Sequence, residues 1–269
     1  MKNIIRKIDS LPPLEQTVLE VLEFHNSENK TPQKLIEIIE KDPLITVTLL
    51  KIINSSLFGF RNKVESIENL VYLLGVSFTT SLIIGNAIQS KFDIDFSPYG
   101  IDEKHFRDVS CLTTNFLNVW LKTDNALKNE LMLPVFLIDI GKYILAIELK
   151  KRGLEERFLE QITLEPENIL SIEKDFFQFS SLEVTILLLK HWKMSDSIIN
   201  HMRYLNDIDN VPKEYLKSAQ VIYVVKTICN MISPLSDKFV ALGLQKAEEF
   251  GLDCNTLLNT IETLKNRQE

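Results

Sequence analysis

Residues Leu131–Leu149 read LMLPVFLIDIGKYILAIEL, an apolar run that carries the carboxylate of Asp139 near its middle. The spacing of the apolar residues predicts one helix over this run. A carboxylate in such surroundings costs several kcal/mol unless it is paired, hydrogen-bonded or bound to a metal. Lys142 follows three residues later on the same helical face and is the nearest candidate partner. We expect either a buried Asp139–Lys142 pair or a carboxylate that anchors a metal or a small molecule.

The composition predicts an all-α protein. The 269 residues include only eight glycines, and apolar residues recur at spacings of three and four along most of the chain. A chain of this length can bury a sizeable core and form one large or two smaller domains. We expect almost no β-strand.

Charge and cysteine usage exclude several classes of function. The net charge of -7 and a pI near 5.3 argue against binding to nucleic acid, which requires clustered lysine and arginine. Cys111, Cys229 and Cys254 are far apart and form no Cys-x-x-Cys pair, which indicates a reducing compartment and no thiolate metal site. No secretory signal follows the N-terminal MKNIIRKIDS, and no apolar run reaches the roughly 18–20 residues that span a bilayer. We expect a cytoplasmic protein without membrane insertion.

Helix starts are clearly marked in the first part of the chain. Thr31 and Asp42 each precede a proline, the arrangement of an N-cap residue with proline at the first helical position. Ser66 is a third predicted N-cap, and Gly75 is predicted to end that helix in a left-handed conformation. Residues 93–103 are polar and contain a proline and a glycine, which makes them the best candidate boundary in the chain.

Later helices are predicted from periodicity alone. After residue 213 we expect two or three amphipathic helices, broken at Ser233–Pro234 and at Gly251. The other predicted helices cover about residues 103–121, 152–161, 181–191 and 196–204.

Residues 68–84 also imitate a helix-turn-helix, since Gly75, Val76 and Ser77 separate two predicted helices. The second helix would then read DNA. However, residues 78–86 contain no lysine or arginine and are largely apolar. We therefore interpret this helix as part of the core.

Three segments follow one another in the first third of the chain, LPPLEQTVLEVL, LIEIIEKDPLITVTLLKIINSSLFGF and VESIENLVYLLGVSFTTSLII. Their order and spacing resemble the HDOD domain family, an HD-related family of bacterial signalling proteins. The resemblance implies a domain at residues 11–205, in which an N-terminal helical layer (11–95) packs on an HD-like helical bundle (100–205). Residues 206–269 would form a C-terminal helical extension, about which the resemblance says little.

The apolar run around Asp139 resembles the metal-binding helix of HD phosphohydrolases, in which a His-Asp doublet precedes Ile-Gly-Lys. Here Ile138 replaces the histidine, and isoleucine offers no lone pair. Other positions where the resemblance implies histidine ligands carry Asp108, Ser181 and the pair Leu205–Asn206. The histidines of the chain, His25, His105, His191 and His201, show no zinc-type spacing.

The sequence and the family resemblance leave two alternative functions. The first is a non-enzymatic signalling module, without a cofactor, that binds a protein partner or a small regulator; the resemblance connects such modules with motility and cyclic-dinucleotide pathways. The second is a divergent metal-dependent phosphohydrolase or phosphodiesterase that uses Asp108, Asp139 and His105. In either case we expect the site in a groove around Asp108, Asp139 and Lys142. The aromatic turn at Phe58–Phe60 is a further candidate, as a docking patch or as core packing.

Overall fold

A computed structural model describes residues 2–55, 57–60, 62–92 and 94–266 of the chain. These residues form α-helices and short 3-10 turns without any β-strand, which confirms the predicted all-α class. The helices are α1 (Lys2–Asp9), α2 (Gln16–Asn26), α3 (Pro32–Glu40), α4 (Pro43–Ile53), α5 (Ile67–Leu74), α6 (Val76–Gln89), α7 (Glu103–Trp120), α8 (Asn125–Leu137), α9 (Gly141–Arg152), α10 (Glu155–Leu164), α11 (Ile169–Phe177), α12 (Ser181–His191), α13 (Asp196–Arg203), α14 (Lys213–Ile228), α15 (Asp237–Glu249) and α16 (Cys254–Lys265).

The three predicted N-caps are confirmed. The Thr31 hydroxyl accepts a hydrogen bond from the backbone N–H of Lys34, and α3 begins at the following proline. The Asp42 carboxylate accepts from two backbone N–H groups at the start of α4. The Ser66 hydroxyl accepts from the N–H of Asn69. Each cap satisfies N–H groups that the first helical turn leaves without partners.

Helix α6 is a core helix and not a DNA-reading helix. Residues 78–85 are all buried, as are Ile88 and Gln89. It begins at Val76, one residue earlier than predicted, and meets α5 at a bend of 113°. Gly75 has φ +82° and ψ 163°, so its φ is positive as expected but it is not the predicted left-handed helical cap. No single helix of the described residues is long and apolar enough to cross a bilayer, although bent α5 and α6 together pass that test of length and composition.

The predicted helix over Leu131–Leu149 is wrong, because the run contains two helices. Helix α8 ends at Leu137, and α9 begins at Gly141. The cause is the close crossing of α12: a Cβ atom on Gly141 would lie 1.9 Å from the backbone carbonyl oxygen of Ser181. The Thr185 hydroxyl accepts from the Gly141 N–H and donates to the Ile138 carbonyl, both at 2.9 Å. The break therefore leaves these buried backbone groups satisfied.

Two helices lie where no element was predicted from the sequence. Helix α1 packs against α12 and buries Ile4 and Ile8. Helix α11 lies between the two helices that were predicted at about residues 152–161 and 181–191. It carries the buried Glu173. Both are short, and α11 holds a carboxylate on its buried face, so neither gives a clean apolar stripe.

The C-terminal helices close onto the HD-like part of the chain. Helix α14 packs against α7, α8 and α13, and α16 packs against α7. The chain breaks between these helices at Ser233–Pro234 and near Gly251, as predicted. The candidate boundary at 93–103 is anchored by Phe96 and Tyr99, which are almost fully buried; its first residue, Asp93, lies outside the described residues.

The substitution Gly141→Ala tests the close crossing of α9 and α12. Because the obstructing atoms are backbone atoms that cannot swing away, we expect it to lower the free energy of unfolding by more than about 3 kcal/mol, the upper end of overpacking effects. Gly153→Ala is the comparison, since its Cβ meets open space and only its φ of +62° is unfavourable, which costs about 1–2 kcal/mol. Urea denaturation of both variants measures the difference; an equal or smaller loss in Gly141→Ala would contradict the account.

Candidate functional site

Asp139 lies in the turn between α8 and α9 and is held by two lysines. Its side chain is 10% exposed, and its Oδ1 lies 3.5 Å from the Nζ of Lys142, the second residue of α9. Its Oδ2 accepts a short hydrogen bond from Lys226 on α14. Burial by itself would raise the pKa of Asp139, but the two ammonium groups outweigh it and hold the pKa below its usual value. Asp139 is therefore a carboxylate anion with a cation on each oxygen.

Lys142 connects Asp139 to a second buried carboxylate, Glu173 of α11. The Lys142 Nζ donates to Glu173 Oε1 and to the Ser181 hydroxyl, both at 2.9 Å. Glu173 also accepts from the Tyr99 hydroxyl at 2.9 Å and from the Ser181 N–H at 2.6 Å. We call Asp139, Lys142, Glu173 and Lys226 the Asp139 cluster; its two acids and two bases balance in charge.

Two pKa shifts follow from the geometry of the cluster. Burial alone would lower the pKa of Lys142, but Glu173 and Asp139 together raise it above its usual value. Burial, followed by the negative charge of Glu173, raises the pKa of Tyr99 well above its usual value, so its hydroxyl stays protonated and donates to that carboxylate. Both shifts favour the ion-paired state of the cluster.

Sequence reasoning missed Glu173 and Lys226, for different reasons. Glu173 lies on the buried stripe of α11 with Ile169, Ile172 and Phe177, so helical periodicity could have placed this carboxylate inside. Lys226 is 87 residues from Asp139 along the chain, and nothing local marks it as a partner. Only the packing of α14 brings it to the site.

A cavity of about 580 Å³ opens beside the cluster. Asp139, Lys142 and Lys226 line it, and so do residues from the segment before α11 and from α14 and α15. Most of the lining is apolar, with contributions from Ile169, Leu182, Leu205, Met231, Phe239 and Leu242. Its volume falls in the range of about 300–1,000 Å³ that is typical of small-molecule sites.

The structure brings two of the three predicted site residues together. Asp139 and Lys142 line the cavity, but Asp108 does not. Asp108 lies on a half-exposed face of α7, where its carboxylate accepts from Lys104 at 2.7 Å, one turn earlier. The expected groove around all three residues is therefore corrected to a cavity around Asp139, Lys142 and Lys226. His105 forms a hydrogen bond at 2.8 Å between its Nε2 and the carbonyl oxygen of Met231, a residue that lines the cavity.

Residues 11–208 match the family model described as the HDOD domain. The chain belongs to the HDOD domain family. The family is HD-like and related to signal transduction. The match ends before Lys226, so one of the two lysines that hold Asp139 lies outside the residues that match the HDOD model.

A curated protein is similar in sequence to most of this HDOD protein. A curated relative from Treponema pallidum (strain Nichols), named only as an uncharacterized protein, is 21% identical over 220 residues, which are 79% of this chain and 41% of that protein. The chain thus spans about two fifths of the length of the curated relative that it matches.

Solved structures with the same fold come from several bacteria. An HDOD domain protein of unknown function from Geobacter sulfurreducens has a TM-score of 0.69 and 16% identity, over 99% of this chain and 95% of that one. A protein from Shewanella amazonensis SB2B whose name suggests a phosphohydrolase has a TM-score of 0.71 and 19% identity, over 98% and 95%. A virulence factor from Campylobacter jejuni has a TM-score of 0.59 and 24% identity, over 99% and 100%. At these identities the likeness concerns the fold alone.

The residues around Asp139 do not fit a hydrolytic metal, which requires at least three protein ligands and an open position for water. Ser181 and Asn206 do lie near the cluster, where the HD resemblance implies ligands, but Ser181 accepts from Lys142, and Asn206 donates to the Ser180 hydroxyl at 3.0 Å. No group of three or more histidine, cysteine, aspartate or glutamate side chains suited to a metal occurs among the described residues. The ammonium groups of Lys142 and Lys226 occupy the positions from which a metal ion would bind the Asp139 carboxylate.

The remaining histidines and the aromatic turn lie elsewhere. His25 lines a different cavity, His191 packs edge-on against Trp192, and His201 packs edge-on against Tyr215. Phe58 is buried against Phe78, so Phe60 is the one exposed aromatic side chain of the predicted docking patch at Phe58–Phe60.

A double-mutant cycle tests the Asp139–Lys226 pair. Lys226→Met leaves the buried carboxylate with one cation, and we expect a loss of about 3 kcal/mol in the free energy of unfolding. The double variant Asp139→Asn, Lys226→Met should lose at least about 1 kcal/mol less than the sum of the two single variants, because it leaves neither charge unpaired.

Lys217→Met is the matched control for this cycle, since it removes an exposed pair with Asp124 from the same helix. We expect it to cost less than about 1 kcal/mol. Strict additivity of the Asp139 and Lys226 variants in denaturant titrations would show that the pair is not coupled.

The pH dependence of stability tests the charge on Asp139. Its folded-state pKa lies below the ordinary value of 3.8, so its ionised form contributes stability that is present above the unfolded-state pKa and lost as the pH falls through the folded-state pKa. The difference in unfolding free energy between the wild type and Asp139→Asn should stay constant from about pH 7 to about pH 5 and shrink below about pH 4. Thermal and urea unfolding across this range measures it. A difference that grows on acidification would contradict an ionised, paired Asp139.

Proposed function

We propose that this protein is a non-enzymatic signalling module of the HDOD type that responds to a small regulatory ligand bound in the cavity beside the Asp139 cluster. The observation that carries the proposal is the clamp of Lys142 and Lys226 on Asp139 at the wall of a ligand-sized cavity. In this proposal the two lysines on Asp139 disfavour metal-dependent catalysis, and the cavity provides the ligand site.

The non-enzymatic part rests on the chemistry of the cluster. A hydrolytic metal would have to displace Lys226 from Asp139, and the described residues hold no group of three or more histidine, cysteine, aspartate or glutamate side chains that could bind it. Such a displacement would also leave the Lys226 ammonium group without its carboxylate partner. Both effects disfavour the phosphohydrolase alternative.

The signalling part rests on where the cavity lies. Its walls come from the HD-like part and from α14 and α15 of the C-terminal extension. A ligand that contacts both parts stabilises one arrangement of the extension, and a binding site shared between two packed units is a common means of transmitting occupancy to a partner. Motility and cyclic-dinucleotide pathways remain the contexts that the family resemblance proposes. The apolar lining does not favour a cyclic dinucleotide, which carries two phosphates and two free ribose hydroxyls, as the ligand itself.

Hydrolysis assays test the non-enzymatic part. The full chain, loaded in turn with manganese, magnesium and zinc, should hydrolyse bis(4-nitrophenyl) phosphate no faster than buffer with the same metal. Turnover that depends on a metal and disappears in Asp139→Asn would overturn this part and establish the phosphohydrolase alternative.

A neutral fluorescent probe tests binding in the cavity. N-phenyl-1-naphthylamine, which fluoresces in apolar cavities, should bind the wild type saturably. Ala241 lines the cavity and is exposed, so Ala241→Trp places a large ring at its mouth, and we expect probe affinity to fall by at least about tenfold. Ala126→Trp, on an exposed face of α8 away from the cavity, is the matched control and should bind as the wild type does. Equal probe binding by both tryptophan variants would overturn the proposed ligand site.

A further inference from the structure

Ammonium groups outnumber carboxylates in the lining of the cavity. Four lysine ammonium groups, on Lys142, Lys226, Lys238 and Lys246, line it against the two carboxylates of Asp139 and Glu167. Each ammonium group has three N–H donors and no acceptor. Lys226, Lys238 and Lys246 each donate to a single carboxylate, on Asp139, Glu167 and Glu249 respectively. Spare hydrogen-bonding capacity in this cavity therefore consists mainly of donors, which a ligand can satisfy only with acceptors.

The other polar side chains in the wall add few acceptors. The Asn230 amide is occupied on both sides: it donates to the Pro166 carbonyl and accepts from the N–H groups of Ile232 and Ser233. The Thr227 hydroxyl donates to the Tyr223 carbonyl. A ligand that fits this wall thus presents an apolar body to the aliphatic residues and an anionic group to a lysine.

Lys246 on α15 is the lysine best placed to receive that anionic group. Its partner Glu249 lies on the outer surface, does not line the cavity and is held in an exposed pair at 2.6 Å. Exposed pairs contribute little, about 0–1 kcal/mol, so Lys246 can turn to a ligand at small cost. Lys238 differs, because its partner Glu167 itself lines the cavity and would repel an anion. The Tyr223 phenol also lines the wall.

We propose that the cavity binds an amphipathic anion, an apolar chain or ring system that carries one acidic head group, with the head on Lys246 and the body on the aliphatic wall. This inference rests on the proposed function, since it names the class of ligand for the same cavity. The apolar wall supplies affinity through burial, and the lysine distinguishes an acid from a neutral molecule of the same size.

Competition with the bound neutral probe tests the class of ligand. Decanoate and decanol share their chain and differ in the head group, so each is titrated against N-phenyl-1-naphthylamine on the full chain. We expect decanoate to displace the probe at a concentration at least about tenfold lower than decanol, a preference that should weaken with added salt. Butyrate, which has the same head without the long chain, should displace no probe in this range.

Three variants locate the head group. Lys246→Met should reduce the preference for decanoate to within about threefold. Glu249→Gln removes the competing carboxylate and should increase the preference, a gain that a merely structural role of Lys246 would not produce. Lys217→Met makes the same change of charge on α14 outside the cavity and should leave the preference as in the wild type.

The outcomes separate this inference from the function on which it rests. Equal displacement by decanol and decanoate, or an unchanged preference in Lys246→Met, would overturn the anionic class and leave a cavity for neutral ligands. Probe fluorescence that is insensitive to Ala241→Trp would instead overturn the ligand site as a whole.

Discussion

The arrangement of the site depends on the ion pair between Asp139 and Lys226. Asp139 lies in the turn between α8 and α9, and Lys226 comes from α14 in the C-terminal extension. An unpaired carboxylate at this depth would cost several kcal/mol, so the turn, the extension and the buried Lys142 depend on one another. The same pair fixes the chemistry, because each oxygen of the carboxylate already faces an ammonium group. Asp139, Lys142 and Lys226 also line the cavity, so this arrangement determines part of the shape and charge of the cavity wall.

The C-terminal helices contribute most of the lysines of the site. Lys226, Lys238 and Lys246 all follow residue 208, where the match to the HDOD domain ends. The HD-like part contributes Asp139 and part of the apolar lining. A ligand held between the HD-like part and the C-terminal helices would change the free energy of docking of α14 and α15. That is a physical route by which occupancy of a cavity can reach a protein partner.

Much of the fold follows from local signals, and the site follows from them only in part. Side-chain caps at Thr31, Asp42 and Ser66 are local chemistry, so the sequence predicts where α3, α4 and α5 begin. Asp139 is conspicuous for the same reason, as a charge in an apolar run. The break in that run is not local, because the backbone of α12 leaves no room for a side chain at Gly141. Glu173 and Lys226 are likewise partners in space, and periodicity along one helix does not identify a partner on another.

Metal content tests the central claim, that lysines occupy the place of a cation at Asp139, most directly. The full chain is purified without chelator, loaded in separate samples with manganese, magnesium and zinc, desalted and subjected to elemental analysis. We expect less than about a tenth of an equivalent of each metal. Metal binding would have to displace Lys226 from Asp139 and would leave the Lys226 ammonium group without a carboxylate partner. Close to one equivalent in the wild type, lost in Asp139→Ala, would show that Asp139 is a metal ligand and would contradict the account.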